Sequence, residues 1–294
     1  MRILILGGNG MLGHQLCRIL SETMEVWATF REAPHPFVAE PAQRRLEDVF
    51  VENSARLGEI MDSVHPDAVV NAVGIVKQRD EAKHAIPSIR VNALFPHQLA
   101  ELCAARGIRL FQISTDCVFS GLKGKYTEMD DPDPVDLYGR SKLLGELNRP
   151  GCLTLRTSII GWQLNTFSSL LSWFALQRGK RIKGYRKAVY SGLSTAVLAR
   201  LIGDIIERHP DLEGLYHVAS EPIDKFDLLM RLREALGWKD VSIDQDDEFI
   251  CDRSLNGDRF RRETGWRAPA WDDMIGGLAR EWPAYKTLYT GIPG

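Results

Sequence analysis

Cysteine is scarce in this chain, and an excess of either charge is missing. The 294 residues hold five cysteines, Cys17, Cys103, Cys117, Cys152 and Cys251. The count is odd, no C-x-x-C occurs and no histidines fall at ligand spacing, which argues against a disulfide framework and against a zinc site. The thiols are expected to be reduced and mostly buried. Lysine plus arginine number 37 against 39 aspartates plus glutamates, without a long block of one sign. The electrostatic footprint of a nucleic-acid or anionic-membrane binder is therefore absent. The opening "MRILILGG" has one basic residue and an apolar run stopped by glycine, too brief for a signal peptide. No stretch approaches the roughly 20 apolar residues of a membrane helix. There is no internal repeat, low-complexity tract or flexible linker. These absences predict a cytoplasmic protein whose partners are small molecules or other proteins, with a homodimer left open.

What is present is a 44% hydrophobic composition, enough for a substantial core. Short apolar runs alternate with helical patterns through "RILIL", "HQLCRIL", "EVWATF", "SARLGEIMDSV", "DAVVNAVG", "RVNALFPHQLAELCAARG", "IRLFQIS", "YGRSKLLGEL" and "CLTLRT". Repeated β-α alternation with nearly unbroken apolar strands is the pattern of a parallel sheet covered on both faces. The reading is an α/β chain: a Rossmann-type doubly wound sheet over residues 1–157, then a smaller, less regular region over 158–294. The second region reads as a helix in "NTFSSLLSWFALQRG", a basic turn in "RIKGYRKAVYSG", a helix in "TAVLARLIGDIIERH", a strand in "GLYHVA", and helices from Lys225 and Asp272. It is expected to bind substrate and to return segments to the sheet.

In "ILILGGNGMLGHQL", Gly7, Gly10 and Gly13 follow a strand and open a helix. Glycines there allow a tight turn and let backbone N–H groups reach a pyrophosphate at the helix N-terminus. A plain glycine-rich turn is the alternative, and the strand-helix context favours the dinucleotide. The second strand ends at Phe30 followed by Arg31, where an NAD-selective site usually has an acid for the ribose 2′-hydroxyl. Arg31 can pair with a 2′-phosphate, so NADPH is the expected cofactor, with NADH left open. "NAVG" brings small residues, Ala72, Val73 and Gly74, to the end of the fourth strand.

"DLYGRSKLLGE" sets Tyr138 four residues before Lys142, on one face of a helix. By itself the pair reads more readily as a snorkelling lysine beside a half-buried ring than as catalysis. The joint set of motifs goes further. Gly-x-x-Gly-x-x-Gly, "NAVG", "STDxVFxG", "YxEMD", "YGRSKLLGE", "LRTSIIG", "GLYHVAS" and "DRSLNGDRFRRETGW" come in the order and spacing of extended short-chain dehydrogenases/reductases. Among these the chain most resembles the dTDP-4-dehydrorhamnose reductase family, over nearly its whole length.

The resemblance implies a catalytic trio of Thr115, Tyr138 and Lys142, a substrate contact at Asp116, and pyrophosphate contacts at Gly10, Met11 and Leu12. An adjacent ammonium is expected to lower the phenol pKa from about 10 by about one to three units, so that Tyr138 protonates the alkoxide formed by hydride transfer. Lys142 would also hold the nicotinamide ribose, and Thr115 would orient the carbonyl. The implied activity is reduction of the 4-keto group of a nucleotide-diphospho-6-deoxyhexose in surface-polysaccharide synthesis. A nucleotide-sugar epimerase or dehydratase, or a non-catalytic partner like the similar methionine adenosyltransferase β subunit, are the competing readings. Three departures bear on the ligands. Cys117 stands where the family has tyrosine, Ile159 where many members have tryptophan, and Phe50 where an acid commonly faces adenine. The first two predict a reshaped sugar pocket. "NAVGIVKQ", "STDCVFSGLKG" and "AVYSGLST" look closer to the subgroup acting on UDP-linked 2-acetamido-2,6-dideoxy-4-hexuloses. Arg186, Lys187 and Arg253 are the cations expected to clamp a diphosphate, with a solvated basic face the alternative for the first two.

Overall fold

The computed structural model describes residues 1–38, 44–76, 83–165 and 167–289; Lys77 and Gln78 of the "NAVGIVKQ" motif lie outside them. β1 (Arg2–Leu6) lies between β2 (Glu25–Thr29) and β4 (Ala68–Asn71), parallel to both. β3 (Arg44–Leu46) continues the sheet beyond β2, while β5 (Arg109–Thr115) and β6 (Cys152–Thr157) continue it beyond β4. After β6 the strands shorten: β7 (Ile159–Ile160), β8 (Arg181–Tyr185), β9 (Ala188–Tyr190), β10 (Leu193–Ser194), β11 (Gly214–His217), β12 (Ile223–Asp224), β13 (Ser242–Asp246) and β14 (Cys251–Asp252). Of these, β11 pairs with β6 and completes a seven-stranded sheet of order β11-β6-β5-β4-β1-β2-β3.

Side chains alternate across β1, and the two faces bury separate cores. Ile3 and Ile5 join Leu16 and Leu20 of α1 (Gly13–Leu20) in one. Leu4 and Leu6 join Leu57 and Ile60 of α2 (Ser54–Val64) in the other. Because successive strands run outward in opposite directions from β1 and β4, a crevice opens at their carboxyl ends, the place where open α/β sheets bind ligands.

Two stretches differ from their sequence pattern. The long helix expected at "RVNALFPHQLAELCAARG" begins earlier, as α3 (Ala85–Ser88), widens into π turns over Ile89–Leu94, and resumes as α4 (Phe95–Ala104). The Phe95 N–H bonds the carbonyl of Arg90, five residues back. Pro96 has no N–H to give the Asn92 carbonyl, which removes one rung of the ordinary ladder. The expected basic turn at "RIKGYRKAVYSG" is two strands, β8 and β9, about a turn at Arg186–Lys187. Ile182 and Gly184 point inward while Arg181 and Lys183 face out and pair with Asp244 and Asp246 of β13. Charge hid a period-two strand, stabilised by cross-strand pairs.

The remaining helices are α5 (Leu137–Leu144), α6 (Leu170–Ala175), α7 (Thr195–Arg208), α8 (Lys225–Ala235), α9 (Asp258–Thr264) and α10 (Trp271–Tyr285). α10 reaches back to α1: Tyr285 meets the His14 ring at 2.6 Å, and His14 Nδ1 lies 2.8 Å from the Gly10 carbonyl. Among the described residues no helix is long and apolar enough to cross a membrane.

Candidate active site

β5 delivers Thr115 to the carboxyl edge of the sheet, where the chain turns through Asp116–Val118. The Thr115 hydroxyl accepts a hydrogen bond from the Cys117 amide at 3.1 Å and donates to the Asp116 carboxyl at 3.1 Å. α5 starts against this turn. Asp136 caps it by accepting from the Gly139 amide at 2.8 Å, and a Cβ on Gly139 would fall 2.2 Å from the Cys117 carbonyl oxygen. Only glycine permits that approach, which seats the neighbouring Tyr138 against the Thr115–Cys117 turn, with its phenol in reach of the Thr115 hydroxyl. One helical turn on, Lys142 is buried and its ammonium donates to the Ile113 carbonyl of β5 at 2.7 Å.

The protonation states correct the sequence expectation. The Tyr138 phenol is pushed up, not down: burial in the cleft is the main cause, the Cys117 thiol and the Asp116 and Asp136 carboxyls act the same way, and the Thr115 hydrogen bond opposes them. Burial also pushes Lys142 down to about 8, against the pull of Glu146. Desolvation therefore outweighs the expected tuning by Lys142. Tyr138 keeps its proton at neutral pH, the state a proton donor needs.

Behind the trio, Glu146 accepts from Ser114 at 2.6 Å and forms a fork with Arg156, both contacts at 2.7 Å. Their side chains are 7% and 6% exposed, so this is a fixed buried ion pair whose carboxylate acts on Lys142. Asn92, unmarked by sequence reasoning, holds the other side. Its amide donates to the Ile75 carbonyl at 2.9 Å and to Ser141 at 3.2 Å, and its oxygen accepts from the Ile75 amide at 2.9 Å. A Cβ on Gly74 would stand 3.4 Å from that oxygen and 4.0 Å from the Lys142 nitrogen. The available signal was an asparagine inside an otherwise apolar helix.

The glycine loop fits a dinucleotide. Gly7 has φ +89°, and a Cβ on Gly13 would lie 2.0 Å from the Gly7 carbonyl oxygen, so side chains are excluded from the cradle at the start of α1. Ala72, Val73 and Gly74 border it half-buried, and Val73 would meet a Cβ on Gly7 at 3.0 Å. Met11 is half-buried at the loop, while Leu12 is buried in the core beside α1. Phe30 is 1% exposed and packs beneath Gly8, where a Cβ would strike its ring at 2.4 Å. Arg31 is exposed, 3.4 Å from Glu32. Asn9, also unmarked by the sequence, ties the loop to this segment by donating to the Ala33 carbonyl and accepting from the His35 amide. Phe50 is exposed.

Arg253 donates to the Phe119 carbonyl at 2.9 Å and to the Cys117 sulfur at 3.6 Å, which ties the segment after β14 to the Asp116–Val118 turn. Burial pushes the Asp116 carboxyl up, while Arg253, Thr115, Cys117 and Lys225 pull it down. Ile159 in β7 is half-buried beside Leu193 of β10. Arg186 stands apart on the exposed β8–β9 turn, 3.9 Å from Asp247, with Lys187 next to it. No cluster able to hold a metal ion occurs among the described residues.

Residues 1–240 match the protein family described as RmlD substrate binding domain. The dTDP-4-dehydrorhamnose reductase of Aggregatibacter actinomycetemcomitans is 26% identical over 86% of this chain and 81% of its own. A protein of Haloferax volcanii described as a probable low-salt glycan biosynthesis reductase is 25% identical over 96% of this chain and 99% of its own. Among solved structures, the dTDP-4-dehydrorhamnose reductase of Bacillus anthracis in complex with NADP superposes with a TM-score of 0.79 at 22% identity, over 95% of this chain and 99% of that one.

Proposed function

Because the chain belongs to the RmlD substrate binding domain family, we propose that it is an NADPH-dependent reductase of the 4-keto group of a nucleotide-diphospho-6-deoxy-4-ketohexose. The observation that carries this reading is the convergence of Thr115, Tyr138 and Lys142 at the sheet crevice, beside a glycine loop that excludes side chains. Bound against Gly7, Gly10, Gly13 and the Ala72–Gly74 segment, the cofactor supplies a hydride. The remaining work falls to the protein. The Thr115 hydroxyl orients the substrate carbonyl. The Tyr138 phenol, held protonated by its surroundings, donates its proton to the oxygen as negative charge develops there. The Lys142 ammonium, fixed by Ile113 and the Glu146 charge, holds the nicotinamide ribose and supports the phenol electrostatically. Arg253 and Asp116 orient the diphospho-sugar.

Reductases related to this chain act on dTDP-4-dehydrorhamnose by name. With Cys117 and Ile159 at positions where large rings stand in the rhamnose enzymes, the pocket favours a bulkier UDP-linked 2-acetamido sugar. The test is NADPH consumption with a panel of 4-keto nucleotide sugars of both kinds. Reduction with a higher kcat/KM for the acetamido substrates supports the full reading. Preference for dTDP-4-dehydrorhamnose removes the acetamido assignment, and no consumption with any of them removes the reductase assignment.

A further inference from the structure

A polar pair lies next to Asp116 that the catalytic trio and the glycine loop leave unused. Tyr190 ends β9, 7% exposed, with its ring 5.5 Å from that of Trp271 and so close to Gly192 that a Cβ there would lie 2.6 Å from it. Its hydroxyl is buried with no hydrogen-bond partner among the described residues. Buried phenols ordinarily find a partner, and an orphaned one costs stability. Lys225 stands over the same ring, its nitrogen 5.4 Å from the centroid. It is the first residue of α8, where the positive end of the helix disfavours a cation, and burial disfavours it again.

Stability does not explain the Tyr190 hydroxyl, and it favours Lys225 only through its contact with the ring and its attraction to the Asp116 carboxyl. Phenylalanine at 190 would fill the same space without an orphaned hydroxyl, and an acidic residue at 225 would suit the helix better. What the two share is Asp116, which lies within electrostatic reach of Tyr190, Lys225 and Tyr138 alike. Arg253 is the second cation acting on the same carboxyl. The Asp136 carboxyl also reaches Arg253, so the two cations face two carboxyls; what they offer an anionic ligand beside this turn is a guanidinium and an ammonium as charge-assisted donors.

We propose that Tyr190 and Lys225 are binding residues for the substrate: the Tyr190 hydroxyl hydrogen-bonds a polar substituent of the sugar ring, and the Lys225 ammonium joins Arg253 on the diphosphate. This rests on the reading of the ligand as a nucleotide-diphospho-sugar. It assigns a different part of that ligand to each residue, and the test separates them. Calorimetric titration of the full chain with dTDP, UDP, dTDP-glucose and UDP-N-acetylglucosamine is paired with thermal melting. Tyr190→Phe is expected to bind the free nucleoside diphosphates as the wild type does, to lose about tenfold in affinity for the nucleotide sugar, and to melt no lower. Lys225→Met is expected to weaken nucleoside diphosphates and nucleotide sugars alike by about tenfold, with Lys225→Arg retaining most of the affinity for both. Wild-type affinity for the sugar ligands in Tyr190→Phe, or a lowered melting temperature showing that the hydroxyl has a protein partner, overturns the first assignment. Unchanged nucleoside-diphosphate affinity in Lys225→Met overturns the second. A wild-type protein that binds none of the four ligands overturns the functional reading itself, an outcome distinct from either.

Discussion

Tyr138 and Lys142 were legible in the sequence as a pair at helical spacing, but their protonation was not, because the groups that set it come from elsewhere in the chain. Cys117 and Asp116 act on the phenol, and the lysine is buried against the Ile113 carbonyl. The phenol as built keeps its proton, with a marginal cation one helical turn away. With Lys142 at about 8, the cationic form predominates below that pH and is lost above it. The expected kcat/KM therefore holds to about pH 8 and then falls by about tenfold per pH unit. Lys142→Met should be poorly active throughout and lack this limb; a flat wild-type profile from pH 7 to 10 would show that the cation is not needed. Arg31 belongs to the same scale. It is exposed and its ion pair with Glu32 is long, so it can turn toward a 2′-phosphate at little cost. Arg31→Ala should weaken NADPH binding by about tenfold or more and leave NADH nearly unchanged. Equal losses for both cofactors would contradict a 2′-phosphate contact.

At the scale of elements, β1, the glycine turn and α1 were read directly, because an apolar run, glycines at close intervals and an amphipathic helix each obey a local rule. The helix around Asn92 was not, since its widened turns depend on Pro96 and on contacts with the Gly74 loop and α5. β8 was missed because its surface charges mask an alternation that becomes meaningful only beside β13. Gly13→Ala tests the turn as a unit. Its methyl would lie 2.0 Å from the Gly7 carbonyl oxygen, backbone against backbone, so the turn has to open. A displacement of that order should weaken NADPH binding by about 10²-fold and destabilise the fold by about 1–3 kcal/mol. Cofactor titration and thermal melting check the two effects, and wild-type values in both would mean that the turn is not the cradle.

Across the whole molecule, the later residues complete what the first half begins. β11 closes the sheet next to β6, Arg253 reaches the segment after the Asp116–Val118 turn, and α10 meets the glycine loop through Tyr285 and His14. The strand at Gly214–His217 and a return to the sheet were expected from the sequence, whereas its pairing with β6 and the contact of Tyr285 with His14 leave no trace in periodicity. They also predict how stability responds to acid. His14 and His217 are each lowered to about 4, chiefly by burial. The unfolded chain takes up these protons near pH 6.5 and the folded one only near 4, so the unfolded state binds more protons between. Stability present above pH 6.5 should fall across that window by about 3 kcal/mol per histidine at most. Melting temperature measured from pH 7 to 4 should decline, less steeply in His14→Gln; a flat curve would show that the rings titrate in the folded chain as they do in the unfolded one.

The central claim is that Tyr138 hands a proton to the substrate oxygen, and single-turnover NADPH oxidation by Tyr138→Phe, with a 4-keto nucleotide sugar that the wild type reduces, tests it most directly. The substitution removes one hydroxyl and little packing surface. The account predicts a rate lowered by about 10²- to 10⁴-fold, with NADPH affinity within a few-fold of wild type. A rate within a few-fold of wild type would contradict it.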